Sequence, residues 1–238
     1  MAQVINTNVN ALFAGNALNK SANGLMVAQQ RLSSGLRINS SKDDATGMVI
    51  ASKYDTEIRG TNIAIRNASD SIAKAQTNDG YGAQIQENLQ RLNEIAVQLG
   101  GTATGAETTA LLAENARIAG LTTAATATTV DGKGTTATGA STVIAVPTGV
   151  TIAAIATDID AVTSARANYG ADAVRFGSAV STMQTTSVNL SASFSRVMDT
   201  DYAAETASQA RNNILQQAGT AILAQANQTS QSVMQLLR

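Results

Sequence analysis

The chain has 238 residues and nearly balanced charge, with 16 Lys and Arg against 17 Asp and Glu and a formal net charge of −1. It contains no cysteine and no histidine, which excludes disulfides, zinc clusters, Cys/His nucleophile pairs and His-ligated metals. Near-neutrality removes a strong global pull on nucleic acid, no apolar run reaches the roughly 18 residues of a membrane span, and the N-terminal residues lack the apolar core of a cleavable signal. No cofactor, metal, nucleic acid or membrane is therefore expected.

Residues 1–42 contain Lys20, Arg31, Arg37 and Lys42 and no acidic residue. Ile5, Val9 and Leu12, then Leu18, Ala22, Leu25, Leu32 and Leu36, form a helical stripe broken between Leu12 and Leu18 and by the polar Gln29. So narrow a stripe buries little by itself, and the segment reads as an interaction helix that needs a partner. A basic, acid-poor amphipathic helix is also the pattern of a membrane-surface or targeting segment, and that alternative stays open here. Gly35, an Asn/Ser cluster and Gly47 then interrupt the period and predict a connector. Ser40 with Asp43, and Ser41 with Asp44, have the spacing of a capping box opening a new helix. Paired carboxylates also serve acid–base catalysis, but no nucleophile or base lies nearby in sequence.

From about Asp44 to Leu99 the period resumes. Ala51, Tyr54, Ile58, Thr61, Ile65, Ala68, Ile72 and Ala75 alternate by threes and fours, and Ile85, Leu89, Leu92, Ala96 and Leu99 follow after an expected phase slip near Gly80 and Gly82. Gly100-Gly101 ends the element, and residues 102–120 predict a shorter helix with Leu111, Leu112, Ala116 and Ile118 on its apolar side. Residues 121–151 are rich in Thr, Ala and Gly. Asp131-Gly132 is a hairpin-turn signal, and Val143 to Ile152 reads as two short β-runs around Pro-Thr-Gly. A lone hairpin is marginal, so it is expected to pack on the helices; a flexible low-complexity loop is the alternative.

The last third carries the strongest pattern. Ile155, Ile159, Val162, Arg166, Tyr169, Ala173, Phe176, Val180, Met183, Ser187, Leu190, Phe194, Val197 and Asp201 keep a 3.5-residue repeat over about six heptads, broken only by Arg166, Ser187 and Asp201. A helix over most of residues 152–238 would run to roughly 100 Å or more, which predicts a rod. Asp199-Thr-Asp201 resembles a metal-binding triplet but falls between two helical frames, where a cap is expected. The final helix carries Ala203, Ala207, Ala210 and Ile214, then Leu215, Ala218 and Ile222, then Val233, Leu236 and Leu237.

Both ends resemble bacterial flagellin. The resemblance rests on Asn6-Thr-Asn8, Gln30-Arg-Leu-Ser-Ser-Gly-Leu-Arg-Ile-Asn-Ser40 and Lys42-Asp-Asp-Ala-Thr-Gly47, and on Ser195-Arg-Val-Met-Asp-Thr-Asp-Tyr-Ala-Ala-Glu205, Ile214-Leu-Gln-Gln-Ala-Gly-Thr220, Leu223-Ala-Gln-Ala-Asn-Gln228 and Leu236-Leu-Arg238. It covers roughly residues 1–100 and 155–238. It implies a mainly α fold, an elongated antiparallel coiled-coil rod; residues 121–151 are too short for the large outer domains that many flagellins carry, so only a small β-hairpin is expected there. The implied order is an inner-domain helix and connector over 1–42, rod-domain helices over 43–120, a variable segment over 121–152, a rod-domain helix over 153–198 and an inner-domain helix over 199–238.

The implied function is that of a secreted, non-enzymatic subunit that self-assembles into the flagellar filament, its terminal helices folding on assembly. Export without signal cleavage, a chaperone at the C-terminal segment, and filament cap and hook-junction proteins as partners follow from the same resemblance. Packing is expected through Leu25, Arg31, Leu32 and Leu36 at one end and Ile214, Leu215, Ile222, Val233, Leu236 and Leu237 at the other. Leu89-Gln-Arg-Leu-Asn-Glu-Ile-Ala-Val97 resembles the segment by which flagellins engage a Toll-like receptor and neighbouring subunits, which singles out Gln90, Arg91, Glu94 and Ile95. The aromatic-Asn-Gly common after the short rod helix is absent, and Thr122-Thr-Ala-Ala stands nearby. The rival readings are a hook–filament junction protein and a secreted helical adhesin or effector.

Overall fold

The computed structural model describes residues 8–123, 129–130, 136–137 and 143–236. These form helices α1 (Val9–Ser34), α2 (Ala45–Gln98), α3 (Ala106–Ala119), α4 (Ile152–Met198) and α5 (Tyr202–Leu236), with two-residue strands β1 (Thr129–Val130) and β2 (Thr136–Ala137) paired antiparallel. The mainly α expectation holds. Two compact units divide the chain, one comprising Met1–Lys53 with Ala192–Arg238 and the other Tyr54–Ser191.

The Tyr54–Ser191 unit is built on an α2–α4 seam. On α4 the expected heptad positions are the inward ones: Ile155, Val162, Tyr169, Phe176 and Met183 are buried, and Ile159, Arg166, Ala173, Val180 and Ser187 are half-buried. Opposite them α2 turns inward Thr61, Ala64, Ala68, Ser71, Ala75, Asn78, Gly82, Ile85, Leu89, Leu92 and Ala96. This run keeps the three/four alternation straight through Gly80 and Gly82, so the expected phase slip does not occur. Apolar residues alone suggested it, because the members that carry the seam across are a polar Asn78 and a side-chain-free Gly82. Ile65 and Ile72 sit half-buried beside the seam, with Ala64 and Ser71 in the buried places.

At the far end of this unit, α2 stops at a Gly100–Gly101 turn whose φ angles of 80° and 121° suit glycine alone. Helix α3 then folds back, adding Ile118 and Ala119 to a cluster with Leu89, Leu92 and Ile155, and packing Leu111 and Leu112 against it. Two amide contacts fix its register: Asn88 Nδ2 donates to Asn115 Oδ1 at 2.8 Å, and Asn78 Nδ2 donates to the Thr123 carbonyl at 2.6 Å.

Residues 143–150 do not form the expected pair of β-runs. Ile144 is buried in the same cluster, its N–H meeting Thr122 Oγ1 at 3.3 Å; the Gly149 N–H meets Asp158 Oδ2 at 2.9 Å, and the Val150 carbonyl accepts from Ala103 N at 2.7 Å. Three of the segment's backbone groups thus go to partners outside it, which leaves them unavailable to a ladder within it. One isolated bridge, Thr102 to Thr151, is the strand-like pairing there. The Asp131-Gly132 turn signal lies outside the described residues.

In the other unit, α1 and α5 run antiparallel. Asn8 caps α1, its Oδ1 accepting from Ala11 N at 3.1 Å while its Nδ2 donates to the Ala226 carbonyl at 3.0 Å. Leu18 lies against Gly219, and Gly24 against Asn212. Gly35 closes α1 in the left-handed region at φ 72°, its N–H on the Arg31 carbonyl.

Replacing Phe176, buried in the seam, with Ala should lower unfolding stability by about 3–5 kcal/mol. Val174→Ala, two residues away and exposed, should change it by less than about 0.5 kcal/mol. Denaturant titration followed by circular dichroism checks both.

Candidate functional site

The connector after α1 and the joint between α4 and α5 meet. Leu36 bridges to Asp199, Arg37 N donates to the Met198 carbonyl at 2.6 Å, and Thr200 N donates to the Gly35 carbonyl at 3.0 Å. Ile38, Ala51 and Met198 form a small core under these bonds, with Leu36, Met48, Phe194 and Val197 packed against it. Leu36, expected as an assembly residue, is thus used inside the chain.

The carboxylates around the joint are caps. Asp44 Oδ1 accepts from Gly47 N at 2.9 Å and opens α2. Asp43 Oδ2 accepts from the Asn39 and Ser40 N–H groups at 3.1 Å each, and these bonds hold its pKa below the ordinary value. The reciprocal capping box does not form; Asp43 folds the connector on itself and Asp44 alone caps the helix. Asp201 Oδ1 accepts from Ala203 N at 2.9 Å and from Ala204 N at 3.3 Å, so it opens α5 as expected. Among the described residues, no three acidic side chains gather in a group fit to hold a metal ion.

From the joint the α1–α5 pair extends. Tyr202 donates its hydroxyl to the Leu32 carbonyl at 3.0 Å, and Arg31 pairs with Glu205 at 3.7 Å. Arg31 Nε is buried with no partner. Leu18, Leu25 and Leu32 lie half-buried on the α1 side. The α5 side differs from the sequence expectation: its inward positions are Glu205, Gln209, Asn212, Gln216, Gly219, Leu223 and Ala226. They step by fours and threes, but most are polar or small, so an apolar search passed over them. Ile214, Leu215 and Ile222 face outward instead and are exposed. On α1, Val9, Leu12, Phe13 and Met26 are exposed too, with Phe13 at 77 %. Phe13 and Met26 fall off the stripe read from sequence and were missed. The side chains of Val233 and Leu236, and Leu237 entirely, lie outside the described residues.

On α2, Gln90, Arg91 and Glu94 are exposed, but Ile95 is buried in the α2–α3–α4 cluster and drops out of that patch. Arg91 donates through Nε to Glu107 of α3 at 2.9 Å and through Nη1 to Glu94 at 3.0 Å, and its pKa is raised, first by Glu107 and then by Glu94. Glu107 therefore joins the patch. Nothing in its local sequence marked it, because the contact depends on α3 folding back.

Two family models match the chain: the bacterial flagellin N-terminal helical region over residues 5–136, and the bacterial flagellin C-terminal helical region over residues 152–237. The chain belongs to the bacterial flagellin family. Flagellin of Salmonella rubislaw is 55% identical over 98 residues, covering 41% of this chain and 20% of that protein. Phase 2 flagellin of Salmonella typhimurium is 55% identical and phase 1 flagellin of Salmonella naestved 54% identical, each over 98 residues and 19% of its length. The matched stretch thus spans about a fifth of these flagellins. The flagellin-like motifs at residues 30–47 and 195–205 are the ones the fold brings together at the joint.

The Asp43 bonds give an acid-sensitive element. Its carboxylate is the form that the two amides bind, so their protection is complete above the ordinary Asp range and is lost as pH falls through the depressed pKa. Hydrogen-exchange protection at Asn39 and Ser40 should persist through the ordinary Asp range and be lost only at more acid pH. In Asp43→Asn that pH step should be absent.

Proposed function

We propose that this chain is a structural, non-catalytic subunit that self-assembles into an extracellular bacterial flagellar filament serving swimming motility. Family membership supports this reading, and one observation carries it: the α1–α5 pair buries only a thin apolar strip and leaves large apolar side chains exposed. On the inner seam α5 sets Glu205, Gln209, Asn212 and Gln216 against Ala14, Leu18, Leu25, Ala28 and Leu32 of α1, while Val9, Leu12, Phe13, Met26, Ile214, Leu215 and Ile222 stand exposed. An isolated hairpin of this kind gains little from burial against about 1–2 kcal/mol of backbone ordering per residue. Neighbouring copies covering the outer faces would contribute roughly 1.5–3 kcal/mol per buried side chain. Order at the two ends would thus come with assembly.

The same reading assigns an export chaperone to the C-terminal segment, residues 199–238, and filament cap and hook-junction proteins as further partners. Gln90, Arg91 and Glu94, with Glu107, are proposed as a contact for a neighbouring subunit and for a host Toll-like receptor.

Seeded polymerisation, followed by negative-stain microscopy and far-ultraviolet circular dichroism, tests the proposal. The natural chain should form long uniform filaments with a rise in helix signal. Ile214→Asp should leave the monomer's helix signal unchanged and abolish filaments, since Ile214 is 65 % exposed within one chain. Normal filaments from this variant would remove the α5 outer face from the interface. Persistent monomers of the natural chain under seeding would favour a hook–filament junction protein or a secreted adhesin or effector.

A further inference from the structure

We infer that Arg166 selects the register along the middle of the α2–α4 pair in the Tyr54–Ser191 unit, beyond the reach of the backbone bonds that join Gly101–Ala103 to Val150–Ile152. A seam built on a 3.5-residue repeat looks alike after every seven residues, so apolar packing alone permits one helix to sit a heptad off. Here shape does little to forbid it. From Thr61 to Ala75 the inward α2 positions are all Thr, Ala or Ser, so shape along this stretch distinguishes poorly between alignments.

Arg166 breaks that equivalence. It is the one charged side chain at the expected heptad positions of α4 between Ile155 and Val197, although Asp172 beside that seam is buried too and pairs with Arg175 at 3.8 Å. Its stem lies on Gly82, where a methyl group would stand 2.7 Å from Cγ and 3.1 Å from Cδ. Its guanidinium then reaches both ways along α2: Nε donates to Asp79 Oδ1 at 2.8 Å, and Nη1 donates to Gln86 Oε1 at 2.7 Å. The acceptors stand three residues before and four after the glycine, on the turns above and below the slot. Moved one heptad toward the α2 start, Arg166 would face Ala75, with Ser71 and Ile72 before it and Asp79 behind, and the fork would lose its second acceptor and its slot. The side chains of Arg166 and Asp79 are 32% and 47% exposed, so solvent screens the pair and its contribution to stability is small. A polar contact that adds little stability but fits one alignment selects among registers.

The chain has no cysteine, so disulfide trapping reads the register directly in the full-length protein. Asn62 and Ser187 side chains meet at 3.3 Å, making Asn62→Cys with Ser187→Cys the reporter of the native alignment. Asn62→Cys with Val180→Cys reports the one-heptad shift, since position 180 is seven residues, or about 10 Å, along the helix and beyond disulfide reach in the native alignment. Under oxidation, the first pair should cross-link and the second should not. Adding Arg166→Met, which keeps the stem and removes the fork, should leave helix content unchanged and raise cross-linking of the shifted pair at least tenfold. Gly82→Ala should do the same by filling the slot, and adding Arg166→Ala to it, which removes the colliding Cγ, should relieve strain without restoring a single register. Native cross-linking alone in the Arg166→Met background would overturn the inference. So would loss of helix in that variant, because it would show a stabilising role in place of a selecting one.

Discussion

Everything in the Tyr54–Ser191 unit depends on two long helices meeting along a strip one or two side chains wide. A strip that narrow buries little per turn, so its length supplies the stability, and α4 keeps its period without interruption from Ile155 to Leu190. Along one stretch Met183 of α4 packs with Ala64 and Ala68 of α2, large against small. The thickening near Leu89, Leu92 and Ile118, where α3 makes a third layer, is the place with a core in the ordinary sense. Loss of contact at one level of the strip is shared along it, because neighbouring levels are tied to the same two rigid elements.

The α1–α5 pair is built the opposite way. Its inner contact sets alanines and leucines of α1 against amides, a glycine and a glutamate of α5, with one Arg–Glu pair, and much of its apolar surface points away from the partner helix. Polar groups at a helix seam pair specifically but add little free energy, since each must first give up water. Such a pair is directed but weakly held. That is the arrangement expected of an element that must find its partner helix correctly and yet take most of its stability from outside the chain.

Legibility in the sequence followed these two designs. The α4 seam was readable position by position because its inward residues are large and apolar at constant spacing. The helix ends at Gly35 and Gly100–Gly101, and the cap at Asp201, were readable because backbone conformation demands particular residues there. The α2 seam was half readable: Asn78 and Gly82 belong to it, yet neither counts as apolar, and a false phase slip resulted. The α5 inner face was not readable by the same rule, since Gln209, Asn212 and Gln216 look like solvent-facing residues until α1 is placed beside them. Ile95 and Glu107 were misjudged or missed for a related reason: which face of α2 is covered depends on α3, a contact between segments far apart in sequence. The motifs at residues 30–47 and 195–205 identified a family long before their shared role at one joint could be seen.

The two ends of the Thr-rich segment are pinned to each other. Thr122 and Ile144 are both buried, and the Ile144 N–H rests on the Thr122 hydroxyl. The two points from which the intervening chain departs are thus neighbours, held by a contact that belongs to the packed helices and not to the chain between. Closing a longer excursion between such anchors costs only about 0.6 kcal/mol per doubling of length. Chain length between these two anchors is therefore a weak determinant of how α2, α3 and α4 pack.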